Sequence, residues 1–289
     1  AGATQPAAPH AISVGAHAEQ VAAWRRLREE RLRSPHGWLA LVGLHWLTPG
    51  DSHFGAHPAN EIVLHGSGIA PRSGTLTWSE GQVRLQPHEG AELRIGGDPA
   101  ATMVLADDGD GDPTMLDLGQ LRMHLIRRGE RMGLRVRDSD APALAAFTGL
   151  ESFPIDPSWC VTAQFEPAAP GATIKIVDIT GTPTREPTPG TVWFERDGAT
   201  WRLRALPGGD DGALWLIFGD LTNGHETYGG GRFLYTEAPA ADGTVIADFN
   251  LAYNPPCVFS PYATCPLPPR QNRLSLRIEA GERRYTSPL

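Results

Sequence analysis

Side chains able to do chemistry are concentrated between Asp220 and Asn272. Residues Asp220–Phe233 read DLTNGHETYGGGRF, and Asp248–Asn272 read DFNLAYNPPCVFSPYATCPLPPRQN. Acid, amide, hydroxyl, thiol and guanidinium groups stand here among glycines and prolines. Proline narrows the unfolded ensemble of a loop, so the folded loop can hold polar groups in fixed directions. The run Gly229–Gly231 before Arg232 allows a left-handed turn or a close backbone approach.

His225 and Glu226 are an acid–base pair by type, but neighbours on a strand point to opposite faces. If Thr227–Tyr235 is a strand, Tyr228 and Arg232 share a face over Gly230, which suits an anion or carboxylate. The alternative is an Arg232 paired with Asp220 or Asp248 for structure. Asp248 and Asn250 alternate on one face of a second strand, with Tyr253 and Asn254 entering the proline loop. A buried carboxylate near Arg232 would serve as a base or a ligand-orienting acceptor. The expected catalytic set is therefore Asp248, Arg232 and Tyr228, with Asn250, Tyr253 and Glu226 expected to contact a small-molecule substrate. Hydrolysis of a small ester, amide or phosphorylated compound is the reaction class these groups fit. The competing expectation is a non-catalytic exported binding or scaffold protein in which this region is a structural clamp. A site requires Arg232 and Asp248 to converge partly exposed; a clamp requires them buried and paired.

Cys257 and Cys265 each sit beside a proline. They read as a disulfide fastening the proline-rich loop of an exported protein, or as two buried thiols. A structural zinc site needs four N or S ligands, and His225 is the only histidine beyond residue 124, so no metal and no cofactor is assigned. There is no G-x-S-x-G elbow, and Gly229–Gly231 lacks the Lys-Ser/Thr pair of a phosphate loop.

These groups need a scaffold, and the pattern is mainly β: two packed antiparallel β units, sandwich or barrel, preceded by an amphipathic helix. Residues 1–34 form an arm and helix, the arm covering the first 16 residues and the helix Ala18–Arg33, with Val21, Trp24 and Leu27 at three-residue steps. Ser34-Pro35 should end the helix. Residues 35–155 make the first unit, with short runs at Glu61–Leu64, Gly74–Trp78, Gln82–Leu85, Glu92–Ile95, Thr102–Leu105, Leu121–Arg127 and Gly133–Arg137. Residues 156–289 make the second unit, which carries the expected site on strands at Ile174–Ile179, Thr191–Glu195, Trp201–Ala205, Leu214–Phe218, Arg232–Tyr235, Val245–Phe249 and Leu274–Ile278. Residues 138–172 read as an irregular connection. The acidic run Asp107–Asp112 lacks the closing glutamate of an EF-hand and reads as a solvated hairpin loop.

The formal net charge of -8 argues against nucleic acid as a partner, which calls for a positive surface. No apolar run reaches the ~20 residues of a membrane span. Sparse lysine, abundant Trp and Pro and the Ala/Pro-rich start favour a periplasmic or secreted location over a cytoplasmic one. Oligomeric state is not legible.

TNGHETYGGGRFL, DFNLAYNPPC and TCPLPPRQN together resemble the bacterial and archaeal domain-of-unknown-function family 1684, and WLALVGLHWLTPGDSHFG and GLRVRD resemble its earlier segments. The resemblance implies no established activity. Gln271 departs from it, since a glutamate is expected there.

Overall fold

The computed structural model describes residues 14–109 and 111–287. Much of the arm read over the first 16 residues, and Asp110 of the acidic run, lie outside the described residues. Helix α1 (Val14–Leu32) starts slightly earlier than its apolar spacing suggests and stops before Ser34-Pro35. Its buried side is narrow, comprising His17, Val21 and Leu32. Polar bonds supply much of its anchoring: Arg25 Nη2 donates to Phe153 O, Arg28 Nε to Glu282, and Leu150 N to Glu29. No helix of the described residues is long and apolar enough to cross a membrane.

The first unit contains β1 (Leu41–Trp46), β2 (Gly50–Gly55), β3 (Ile62–Val63), β4 (Gly74–Ser79), β5 (Gln82–Pro87), β6 (Leu93–Ile95), β7 (Asp98–Pro99), β8 (Met103–Leu105), β9 (Leu116–Leu118), β10 (Leu121–Arg128) and β11 (Arg131–Asp138). They form two sheets, β1-β11-β10-β9-β6-β7 and β3-β2-β4-β5-β8, antiparallel except for the short β2/β3 pair. Alternation decides the packing. Val83 and Leu85 of β5 turn inward with Phe54 and Leu76, against Met123, Leu125, Leu134 and Val136 of the other sheet. The opposite face of β10 and β11 carries His124, Arg128, Arg135 and Arg137, and part of it turns toward the second unit.

Helix α2 (Pro142–Ala146) leads to the second unit, made of β12 (Cys160–Pro167), β13 (Thr173–Val177), β14 (Pro183–Pro187), β15 (Gly190–Arg196), β16 (Ala199–Pro207), β17 (Leu214–Phe218), β18 (Arg232–Thr236) and β19 (Thr244–Asp248). The main sheet runs β18-β17-β16-β15-β12-β19, and its terminal strands β18 and β19 lie against each other, so the sheet nearly closes into a barrel. Val192, Phe194, Leu203, Leu216, Leu234 and Phe249 fill it. The span 138–172, read as irregular, contains the whole of β12. Conversely, Leu274–Ile278 is no ladder strand. Leu274, Leu276 and Ile278 alternate into the barrel core, while the backbone bonds Gly219 and Leu221.

A third apolar cluster joins the units, bringing Leu41 of β1 against Ile217, Phe233, Ala263 and Cys265. Ser260 Oγ donates to Leu41 O at 2.8 Å across the same junction.

Candidate functional site

The expected strand over Thr227–Tyr235 is shorter: β18 begins at Arg232, and Tyr228 lies in the preceding loop. Their shared face therefore does not form. Gly231 explains the break. Its φ is +87°, and a Cβ there would collide with Pro268 and with the carbonyl of Phe218. Arg232 points with Leu234 into the barrel and is 0% exposed. Its Nη2 meets Asp220 Oδ2 at 3.2 Å and donates to Ile278 O at 2.8 Å; Nη1 donates to the carbonyls of Ala280 and Glu282. Asp220 also accepts from Ile278 N and from the Thr222 hydroxyl. Burial pushes the Arg232 pKa down and Asp220 opposes that shift. Arg232 thus fastens the C-terminal segment into the barrel, as the alternative pairing anticipated.

Asp248 ends β19 and caps the 3-10 turn Phe249–Leu251, so Asp248 and Asn250 do not alternate along a strand. Asp248 Oδ1 accepts from Asn250 N and Nδ2, and Oδ2 lies 2.6 Å from His17 Nε2. Asn250 also exchanges two bonds with the Asp156 backbone. Glu226 pairs with Arg277 on the surface at 2.6 Å, and Gln271 is exposed. The structure does not join Arg232 to Asp248: each is committed to a different partner.

The expected disulfide is not formed. Cys257 and Cys265 are free thiols side by side, with Cys257 N donating to Cys265 Sγ at 3.0 Å. The Cys257 thiol also points to Tyr228 Oη at 3.6 Å. Hydrogen bonding from Cys265 draws the Cys257 pKa down, and the same bond with burial pushes Cys265 up. Burial raises the Tyr228 phenol as well.

Of the expected site residues, Tyr253 and Cys265 line a cleft of about 630 Å³ where α1 crosses the junction of the two units. Such junctions, at this size, commonly hold small molecules. One wall is aromatic. Because β17 and β18 alternate, Trp215, Phe233 and Tyr235 face outward while Leu216 and Leu234 face the barrel. Trp215 and Tyr235 are register partners stacked 9° from parallel, and Tyr235 lies 7° from parallel with Tyr253. Trp24 of α1 tilts against Tyr253 with centroids 6.2 Å apart.

The other wall is basic. Arg28, Arg31, Arg128 and Arg135 line the cleft, and among the described residues no aspartate or glutamate does. Arg28 is matched by Glu282, and Arg128 by a two-pronged pair with Asp108 at 2.9 Å on each arm. Arg135 makes no direct carboxylate bond among the described residues, although Asp108, held by Arg128, lies near enough to act on its charge. Arg135 is 4% exposed, its Nη2 donates to Thr264 Oγ1 at 3.2 Å, and its buried Nε has no partner among the described residues. Burial, then the nearby Arg128 and Arg137, bring its pKa down to about 10. His124, its register partner on β10, falls to about 4 through burial and then Arg137 and Arg135. A desolvated cation among like charges is unfavourable unless an anion neutralises it. The cleft therefore combines a flat apolar platform with a fixed guanidinium that bonds no carboxylate directly among the described residues.

Arg135, Arg128, Trp215, Tyr235 and Trp24 were not among the expected site residues. The available signal was in GLRVRD, where arginines occupy alternate positions between core residues of an otherwise acidic chain.

The family model described as Protein of unknown function (DUF1684) matches residues 145–283. An uncharacterized protein of Haloarcula marismortui, known from a solution NMR structure, is 33% identical, with the match covering 47% of this chain and 77% of that one at a TM-score of 0.40. A comparison with curated proteins gives no match. The matched span holds β12 to β19, Tyr253, Cys257 and Cys265, while Arg128, Arg135 and α1 lie before it. Through this span the chain belongs to the family of proteins of unknown function DUF1684.

Proposed function

We propose that the cleft binds a small organic anion, a carboxylate or phosphate group carried on a flat apolar body. The observation that carries this reading is Arg135: a buried guanidinium that bonds no carboxylate directly, on the wall of a cleft lined, among the described residues, by four arginines and no acid. The body of the ligand would lie along Trp215, Tyr235 and Tyr253, and its head would take the open donors of Arg135 beside Thr264. Aromatic faces bury apolar area, and charge-assisted bonds to a guanidinium orient the head.

At the cleft itself, the side chains present favour binding over hydrolysis. Among the described lining residues His36 is the one imidazole, and its Nε2 is engaged by Arg122 Nη1 at 3.2 Å. Tyr253 is held protonated by burial, and Cys265 is pushed up with it. Arg232, first expected to act, is sealed in the barrel by Asp220 and the carbonyls of Ile278, Ala280 and Glu282.

Thermal denaturation with naphthylacetate, naphthylacetamide and acetate separates the contributions of body and head. Naphthylacetate should raise the midpoint, since a ligand of the folded state stabilises it by mass action. The amide and bare acetate should have much smaller effects. Equal stabilisation by naphthylacetate and its amide would refute an anion site.

A further inference from the structure

A second cluster lies away from the cleft lining, at the start of α1. His17, Cys160 and Asp248 each present a metal-ligating atom, and these atoms all lie within 4.8 Å of one another. Three separate elements supply them. Cys160 opens β12 and Asp248 closes β19, and the two are register partners, so their side chains share a face. His17 arrives from the first turns of α1, 231 residues from Asp248 in sequence.

Two further features of the cluster fit ligation. Asp248 is oriented from behind, because its Oδ1 is fixed by Asn250 N and Nδ2 while Oδ2 faces His17. Such outer bonds hold a metal-binding carboxylate in place. His17 is 8% exposed, and its Nδ1 is buried without a partner among the described residues. It is Nε2, 2.6 Å from Asp248 Oδ2, that is placed to ligate. Arg25 lies close enough to interact with Asp248, but donates its Nη2 to Phe153 O.

We infer that His17, Cys160 and Asp248 form a binding site for a borderline-soft divalent cation of the zinc class. The mixed nitrogen, sulfur and oxygen donor set suits zinc or cobalt better than magnesium or calcium, which take oxygen ligands. Bonds of about 2.0–2.3 Å place tetrahedral ligand atoms roughly 3.3–3.7 Å apart. The present spacing accommodates this once the 2.6 Å His17–Asp248 contact opens. The cation replaces the proton between Nε2 and Oδ2, and Cys160 binds as a thiolate after releasing its own proton. Three protein donors leave a fourth position for water, the arrangement of a reactive rather than a purely structural zinc. Arg135 and the cleft play no part, so this inference stands independently of the anion site.

Cobalt titration of the EDTA-treated full chain provides the test. One equivalent should produce a near-ultraviolet thiolate-to-cobalt charge-transfer band, which zinc then abolishes. The band should persist in a Cys257→Ser/Cys265→Ser double variant and disappear in Cys160→Ser. X-ray absorption of the wild-type cobalt protein should count one sulfur ligand, a result that does not depend on any variant folding. Absence of the band, its survival in Cys160→Ser, or two sulfur ligands would each overturn the site.

Discussion

Arg135 and His124 face each other across β10 and β11, and their chemistry is coupled. Burial and the adjacent guanidiniums hold His124 neutral in the folded protein down to about pH 4. The unfolded chain takes up that proton near the ordinary histidine value, about 6.5. Between these limits the unfolded state binds more protons than the folded state, so stability falls as pH is lowered through the window. The expected loss is on the order of 2–3 kcal/mol from this residue. Urea unfolding at pH 7 and pH 4 should show the wild type losing more stability than His124→Gln. An identical loss in both proteins would contradict the placement of this ring among cations. Neither residue is legible as a site in the sequence, because a strand arginine or histidine has no local sign of whether it meets solvent, a carboxylate or a cleft.

At the scale of elements, period-two alternation decides which groups can share a site. On β18, Arg232 and Leu234 enter the barrel while Phe233 and Tyr235 form the cleft wall, so a shift of one position separates a structural clamp from a ligand surface. The β18 run was legible in the sequence, as were β4, β5, β10, β15, β16 and β17, because their apolar residues alternate or cluster between turns. Strand β12 was not, since only Ala163 along it is deeply buried and its pattern lacks a hydrophobic signal. The break at Gly231 was foreseeable only as an allowance for close approach; the partner, Pro268, comes from a distant loop. Inside the barrel, Asp220 is the counter-charge of Arg232. Asp220→Asn should cost about 3–5 kcal/mol in a denaturant titration, because it leaves a buried guanidinium without its carboxylate. Glu226→Gln, which loosens a surface pair, should leave the unfolding midpoint near that of the wild type. Comparable midpoints for the two variants would remove Arg232 from its structural role.

Across the whole molecule, α1 and the unit junction matter more than either β unit taken alone. The sandwich contributes Arg128 and Arg135, the barrel contributes Trp215, Tyr235 and Tyr253, and α1 closes the space with Trp24, Arg28 and Arg31. The mainly β architecture follows from turn spacing, and the leading helix is present, but of its expected stripe only Val21 is deeply buried while Leu27 is 43% exposed. The cleft does not follow, because each wall reads as an ordinary amphipathic strand until the two units are set together. The same long range hides the His17 contact to Asp248.

The most direct measurement is calorimetric titration of naphthylacetate into the wild type and Arg135→Met, with unfolding free energies of both. The variant should bind about 10- to 100-fold more weakly, the worth of a charge-assisted bond pair. It should also be as stable as the wild type or more stable by about 1 kcal/mol, because an unpaired buried charge has been replaced by an apolar chain. Undiminished affinity in a folded Arg135→Met would contradict the anion site, and a large loss of stability would mark Arg135 as a structural residue.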